Sequence, residues 1–199
     1  MKIGLTGSIA CGKSTVSSYL RQLGFAVVDA DAISHALTAP GGKALPLLRE
    51  AFGDGVFDGD VLNRRALGSL VFSDERKREQ LNALLHPLII GQVHSDLERF
   101  DAPDMLVFGD VPLLYECAME SLFDQVWVVS VPLETQLARL MARDHLTETE
   151  ALERIASQMP LEEKRRLADA VICSDGPLEQ TRKQVDRLIS AALKSLSHP

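Results

Sequence analysis

The stretch Gly7-Ser8-Ile9-Ala10-Cys11-Gly12-Lys13-Ser14, with Thr15 behind it, restricts this chain more than any other. It fits G-x-x-x-x-G-K-[ST] in full and follows Lys2-Ile3-Gly4-Leu5-Thr6, a run short and apolar enough for a buried strand. Gly7 and Gly12 permit a tight turn in which successive amide N–H groups converge on phosphate oxygens. A helix starting near Lys13 adds the positive end of its dipole. Lys13 is placed to reach the β- and γ-phosphates of a triphosphate, and the Ser14 hydroxyl is a hard oxygen suited to Mg²⁺. A bare glycine-rich turn would not need the lysine, the hydroxyl and the helix together.

The first helix carries Val16, Tyr19, Leu20 and Leu23 at helical spacing and stops at Gly24, and Phe25-Ala26-Val27-Val28-Asp29 reads as a second buried strand. Strand, loop, helix and strand make a βαβ opening, so the spacing predicts a parallel sheet with helices on both faces. Asp29-Ala30-Asp31 closes the second strand, where ligands of open α/β sheets collect. In an extended chain both carboxylates project to the same side, and Asp31 is then a candidate general base for an acceptor hydroxyl. Either aspartate could instead cap the following helix.

About seventy-five residues separate this strand from Met105-Leu106-Val107-Phe108, far more than a crossover needs, so an insertion is expected. Its pieces are a helix near Lys43 to Phe52, a turn at Phe57-Asp58-Gly59-Asp60, a helix capped by Asn63, and a longer helical stretch from Asp74 interrupted at His86-Pro87. Arg64, Arg65 and His86 are its candidates for an acceptor, with a solvated or capping role open for Arg65 and His86. Asp110 after the third strand reads equally as a Mg²⁺ ligand or as a turn residue.

A fourth strand covers Asp124 to Val131, and the helix after it carries Arg139 and Arg143. Thr147-Glu148-Thr149-Glu150 fits a capping box, and Lys164-Arg165-Arg166 follows before a short strand, Ala170-Val171-Ile172-Cys173. These cations, in a chain of net charge -7, fit a lid over polyphosphate; surface pairing of Arg139 and Arg143 with Glu134 and Asp144 is the alternative. The acidic balance argues against bulk nucleic-acid binding. Three separated cysteines, Cys11, Cys117 and Cys173, suggest neither disulfides nor a zinc cluster and fit a reducing cytoplasm. No run approaches a membrane span, and no signal peptide is read at the N-terminus. Monomer is the default oligomeric state.

Taken in order, the chain resembles the dephospho-coenzyme A kinases of the P-loop kinase superfamily, which includes the nucleoside monophosphate kinases. The likeness is carried by Gly4 to Gly7 with Lys13-Ser14-Thr15-Val16; Asp29-Ala30-Asp31 with Ile33; Gly59, Leu62 and Arg64; and Leu85-His86-Pro87. It continues in Pro112-Leu113-Leu114 with Glu116; Gln136, Arg139, Arg143 and Asp144; Gln158; and Ala168-Asp169 with Val171-Ile172 and Gly176. The resemblance implies a five-stranded parallel sheet flanked by helices, with core 1–31, 104–132 and 168–199, a helical acceptor-binding insertion 32–103 and a helical lid 133–167. It implies transfer of the ATP γ-phosphate to the 3′-hydroxyl of the dephospho-coenzyme A ribose. Ser8, Ile9, Ala10, Cys11, Gly12, Lys13, Ser14 and Thr15 would hold ATP with Arg139 and Arg143, and Ser14 would hold Mg²⁺. Asp31, Lys13 and Arg143 would be catalytic, and Asp31, Arg64 and His86 would meet dephospho-coenzyme A.

Two positions depart from the family pattern: Cys11 stands where a small residue is usual, and Cys173-Ser174-Asp175 replaces an Asp-Asn pair, which leaves the adenine loop in question. Another small-molecule kinase, for shikimate, gluconate or a nucleotide, is the nearest rival within enzymes. A nucleotide-dependent switch is the rival outside them, although no Asn-Lys-x-Asp segment is present.

Overall fold

Strand β1 (Lys2–Gly7) offers the solvent no polar face: every residue after Lys2 is buried, and it takes the centre of the sheet. In this computed structural model, which describes residues 1–196, a five-stranded sheet runs in the order β2 (Ala26–Asp29), β5 (Val107–Asp110), β1, β6 (Gln125–Ser130), β7 (Ala170–Cys173). The β1/β5, β1/β6 and β6/β7 pairs are parallel, as the sequence predicts. The connection leaving β1 runs toward β2 and that leaving β6 runs toward β7. The crevice where connections diverge is therefore at the carboxyl end of β1, the position ligands occupy in such sheets.

The chain divides into two units, one made of Met1–Val28 with everything from Asp96 onward, the other of Asp29–Ser95. Residues 197–199 of the expected 168–199 core segment lie outside the described residues. In the first unit, Ile3, Leu5, Phe108, Trp127, Val129 and Ile172 pack with Val16 and Leu20 of α1 (Lys13–Gln22) and Val185 and Ile189 of α9 (Leu178–Leu196). Phe108 meets Phe25 and Trp127 edge to face at 5.4 and 5.5 Å, the geometry that ring quadrupoles favour. Three helices separate β6 from β7: α6 (Leu133–Asp144), α7 (Glu148–Ala156) and α8 (Leu161–Leu167). Thr147 and Glu150 form the expected capping box of α7.

The second unit holds α2 (Ala30–Leu37), α3 (Leu45–Phe52), the hairpin β3 (Phe57–Asp58) and β4 (Val61–Leu62), α4 (Arg64–Ser73) and most of α5 (Glu75–Phe100). Arg49 fastens the hairpin: it lies 4.4 Å over the Phe57 ring and donates to Asp54, the Gly59 carbonyl and Asp60. Asn63 caps α4 through the Ala66 amide, as expected. One expectation is corrected: α5 continues through Pro87 as a single helix of 26 residues. A proline inside a helix removes one hydrogen bond, and a helix this long keeps enough others to run past it.

Two glycines have a packing reason. Gly4 and Gly109 are register partners on β1 and β5, and a Cβ on either would meet the Phe123 ring, at 2.9 Å from Gly4 and 2.5 Å from Gly109. The absent side chains form the slot in which the ring lies. We expect Gly109→Ala to cost about 1–3 kcal/mol by overpacking. Gly68→Ala, in open space on α4, should instead stabilise by about 0.5–1 kcal/mol. Urea unfolding midpoints check both, and an unchanged midpoint for Gly109→Ala means that the ring moves freely.

Candidate active site

The loop between β1 and α1 has the backbone its sequence predicts. Gly12 is left-handed with φ 88°, and Ala10, which carries a Cβ, is also left-handed with φ 58°. Such a conformation in a non-glycine residue is a local cost, and here it turns the loop into a concave row of amides ahead of α1. The Thr15 and Val16 amides donate to the Gly12 carbonyl at 3.0 and 3.4 Å, and the Lys13 and Ser14 amides ahead of them are the first-turn donors placed for an anion. Ser14 and Thr15 are exposed on that first turn. Lys13 forms an ion pair with Asp110, a buried carboxylate at the end of β5.

Cys11 is 1% exposed and lies beneath Gly7, where a Cβ would stand 2.5 Å from its Sγ. Burial pushes its thiol up from the ordinary range, so it serves packing and not nucleophilic chemistry.

Four side chains grip the loop. Gln136 of α6, 1% exposed, donates to the Ile9 carbonyl at 2.7 Å. The Gln158 carbonyl oxygen accepts from the Ile9 amide at 2.8 Å and from the Ser8 hydroxyl at 2.9 Å. Ser174 donates to the Cys11 carbonyl at 2.6 Å and accepts from Arg139, whose second nitrogen donates to the Ser174 carbonyl at 2.8 Å. Lys164, 0% exposed, points inward at the Gly7 carbonyl, the Pro112 carbonyl and the Glu116 carboxylate.

The sequence reading gave none of these four a role in gripping the loop. Gln136 could have been found as a polar residue beside Leu140 on an apolar helix face, and Lys164 as a cation one turn from Leu161. Ser174, at a position where the chain departs from the family pattern, is a contact and not a defect. A cavity of about 370 Å³ opens between the loop and the turn after β7, lined by Gly12, Thr15, Arg139, Ser174, Gly176 and Thr181 among others. It has the size of a small-ligand site.

Arg143 is more than half exposed and bound bidentately to Asp144 at 2.7 and 3.0 Å, with Arg154 on the same carboxylate. Arg139, by contrast, is turned toward the loop. In the second unit, Asp29 is the N-cap of α2 through the Ala32 amide, and Asp31 is exposed on the first helical turn. The helix begins at Ala30, so the alternation of an extended chain does not reach Asp31. Arg64 is tied to the Thr38 hydroxyl at 2.7 Å and the His35 carbonyl at 3.3 Å. Arg65 is exposed on α4, and His86 is half-buried on α5 beside Pro87.

The family model described as dephospho-CoA kinase (CoaE) matches residues 1–180. A dephospho-CoA kinase of Carboxydothermus hydrogenoformans is 45% identical over 186 residues, covering 92% of this chain and 90% of its own. One of Listeria monocytogenes is 46% identical over 195 residues, covering 97% and 98%. Among solved structures, a Thermus thermophilus protein superposes with TM-score 0.83 at 39% identity, covering 97% of both chains. A dephospho-CoA kinase from Campylobacter jejuni gives 0.75 at 29%, covering 98% and 99%. A shikimate kinase from Aquifex aeolicus, TM-score 0.53 at 19% identity over 98% and 99% of the chains, shares the fold alone.

The hydrogen bond from Arg143 holds the Asp144 carboxyl below the usual carboxylate range. A carboxyl depressed in the folded state contributes stability above its unfolded value, and that contribution is lost as the pH falls through the folded value. Arg143→Ala therefore moves the Asp144 titration upward and removes most of this acid-side dependence, leaving Arg154 as partner. Carbon NMR of the side-chain carboxyl measures it; an unmoved midpoint would assign the depression to Arg154.

Proposed function

The chain belongs to the dephospho-CoA kinase family, and from that premise we propose how its residues carry out the reaction. The protein is an ATP-dependent kinase that phosphorylates dephospho-CoA, the step that yields coenzyme A. The observation that carries the site assignment is the phosphate loop, whose left-handed Ala10 and Gly12 precede Lys13 at the start of α1. In this reading the loop from Ser8 to Gly12 wraps the β-phosphate with amides other than those of Ile9 and Cys11, which donate to Gln158 and to the Ser8 carbonyl. Lys13 bridges toward the γ-phosphate, and Thr15 and Arg139 line the cavity that takes the nucleoside end. Ile9 contributes through its place in the turn, because its amide donates to Gln158 and its carbonyl accepts from Gln136.

Mg²⁺ fits the donors present. Among the described residues no group of three His, Cys, Asp or Glu is placed to hold a metal ion. Mg²⁺ does not need such a cage, since it takes one or two protein oxygens with phosphate oxygens and water. Exposed Ser14 supplies the hydroxyl, and Asp110 is a carboxylate that could exchange Lys13 for the ion. When bound, the ion would neutralise charge developing on the phosphates.

The acceptor falls to the second unit in this reading, through Asp31, Arg64 and His86. Asp31 takes the proton of the ribose 3′-hydroxyl as its oxygen bonds to the γ-phosphorus, and the bond from that phosphorus to the β,γ-bridging oxygen breaks to release ADP. Arg143 leaves Asp144 for the transferring phosphoryl group as the 133–167 segment acts as a lid, which excludes water and so limits ATP hydrolysis. No described helix is long and apolar enough to cross a membrane. Three free cysteines fit a reducing cytoplasm, and we take the monomer as the working form.

A coupled assay of ADP release with Mg²⁺ and ATP, with and without dephospho-CoA and with product mass, tests the reading. Acceptor-dependent ADP matched by coenzyme A is expected, and ATP binding without transfer to this acceptor sinks the acceptor assignment. Asp31→Asn should leave ATP affinity intact and lower kcat by about 10²-fold or more, as loss of a general base does. Near-normal turnover in that variant removes Asp31 from the proton transfer.

A further inference from the structure

A lysine with no exposed surface needs an explanation, because an ammonium loses several kcal/mol of hydration on burial unless charge and hydrogen bonds replace it. Lys164 is such a residue. Its neighbours Arg165 and Arg166 on α8 are exposed, whereas its Nζ lies 2.8 and 3.0 Å from the two Glu116 oxygens, 3.0 Å from the Pro112 carbonyl and 3.5 Å from the Gly7 carbonyl.

Each of these acceptors belongs to a segment that supports the phosphate site. Gly7 is the last residue of β1 and the first of the loop. Pro112 lies two residues beyond Asp110, the partner of Lys13, and its carbonyl also accepts from the Thr6 hydroxyl at 3.1 Å. Glu116 accepts in addition from the Met159 amide at 3.0 Å, next to Gln158, which holds Ser8 and Ile9. One ammonium therefore connects the exit of β1, the exit of β5 and the turn between α7 and α8.

We propose that Lys164, neutralised by Glu116, is a positioning residue of the phosphate loop: it fixes the Gly7 and Pro112 carbonyls and so sets Lys13 and Asp110 in register for the transferring phosphoryl group. It does not touch the nucleotide. A carbonyl drawn inward at Gly7 orients the peptide that opens the loop. Dislodging it rotates the amides that follow, and misplacement on the order of 1 Å at such a site costs about 10²-fold in rate. The inference rests on the ATP-dependent reading of this loop.

A charge pair also allows fold and function to be separated. Removing one partner strands a buried charge, while replacing both with apolar residues is often neutral for stability. Lys164→Met alone should lower the melting temperature and nucleotide affinity together. The double variant Lys164→Met/Glu116→Leu should regain most of the melting temperature yet keep kcat/KM for ATP about tenfold or more below wild type, with KM for dephospho-CoA little changed. A double variant with both wild-type stability and kcat/KM within about twofold of wild type reduces the pair to a structural role and overturns the proposal.

If the double variant does not fold, Lys164→Arg serves in its place. Its planar fork keeps the charge paired but sets the two carbonyls differently, so it should fold with kcat/KM for ATP down about tenfold. Full activity in Lys164→Arg likewise overturns the proposal. Calorimetric titration of the wild-type protein with Mg·ATP and no acceptor keeps the two readings apart. Wild-type protein that binds no ATP sinks the nucleotide assignment of the loop, while wild-type protein that binds and turns over leaves the variants to decide the role of Lys164.

Discussion

A loop that binds phosphate through its amides cannot spend all of those amides on itself. At the start of α1 the Gly12 carbonyl takes the Thr15 and Val16 amides, which leaves those of Lys13 and Ser14 ahead of them, and the left-handed Ala10 and Gly12 shape the loop before them. Such a backbone would relax if nothing restrained it. The restraint comes mostly from the other side: carbonyls of Gly7, Ile9 and Cys11 receive Lys164, Gln136 and Ser174. Buried hydrogen bonds of this kind each contribute about 1 kcal/mol net, but leaving one partner unsatisfied costs more, so the set resists partial loss. The parts of the chain that follow β6 are thus tied to the geometry of a loop near residue 10.

The sheet order makes this possible. Because β6 lies directly beside β1, the chain leaving its carboxyl end starts α6 near the loop, and β7 beside β6 delivers Ser174 to the same place. Gln136, one turn into α6, and Ser174, one residue past β7, need only short reaches. Gly4 and Gly109 play the equivalent part lower in the sheet, where the absence of side chains lets Phe123 lie across β1 and β5. The same crossover pattern that locates the crevice also supplies the groups that stiffen it.

What the sequence made legible follows from distance along the chain. The strand, loop and helix from Lys2 to Gln22, the Asn63 cap and the Thr147–Glu150 capping box depend on contacts within a few residues, and each is found where its pattern predicts. Gripping contacts did not announce themselves, since Gln158 and Lys164 reach partners about 150 residues away, and Lys164 reads with Arg165 and Arg166 as a lid cation, whereas it is buried against Glu116. The alternation argument for Asp31 does not apply, because the strand ends at Asp29, the aspartate that caps α2. Pro87 was given a break that a long helix does not need. Arg64 and His86 stand out in the sequence as polar residues of the insertion, and the family resemblance adds the identity of the acceptor they would meet.

A chain of net charge -7 must still attract a nucleoside triphosphate, and the cations of the first unit divide that task by the partners they keep. Lys164 is neutralised by Glu116 and sealed from solvent, so its contribution is geometric. Lys13 faces the buried carboxylate of Asp110, and in the proposed reading an incoming phosphate and a divalent cation would each take one member of the pair. Arg143 is held at the surface by the Asp144 carboxylate, which it would have to leave in the proposed reaction. Arg139 differs from all three: its hydrogen bonds go to the neutral hydroxyl and carbonyl of Ser174, beside the 370 Å³ cavity, so its charge is oriented without being cancelled. A fixed guanidinium on neutral acceptors is a stronger local attractor than an exposed run of lysines, because neither a partner carboxylate nor bulk water fully screens it.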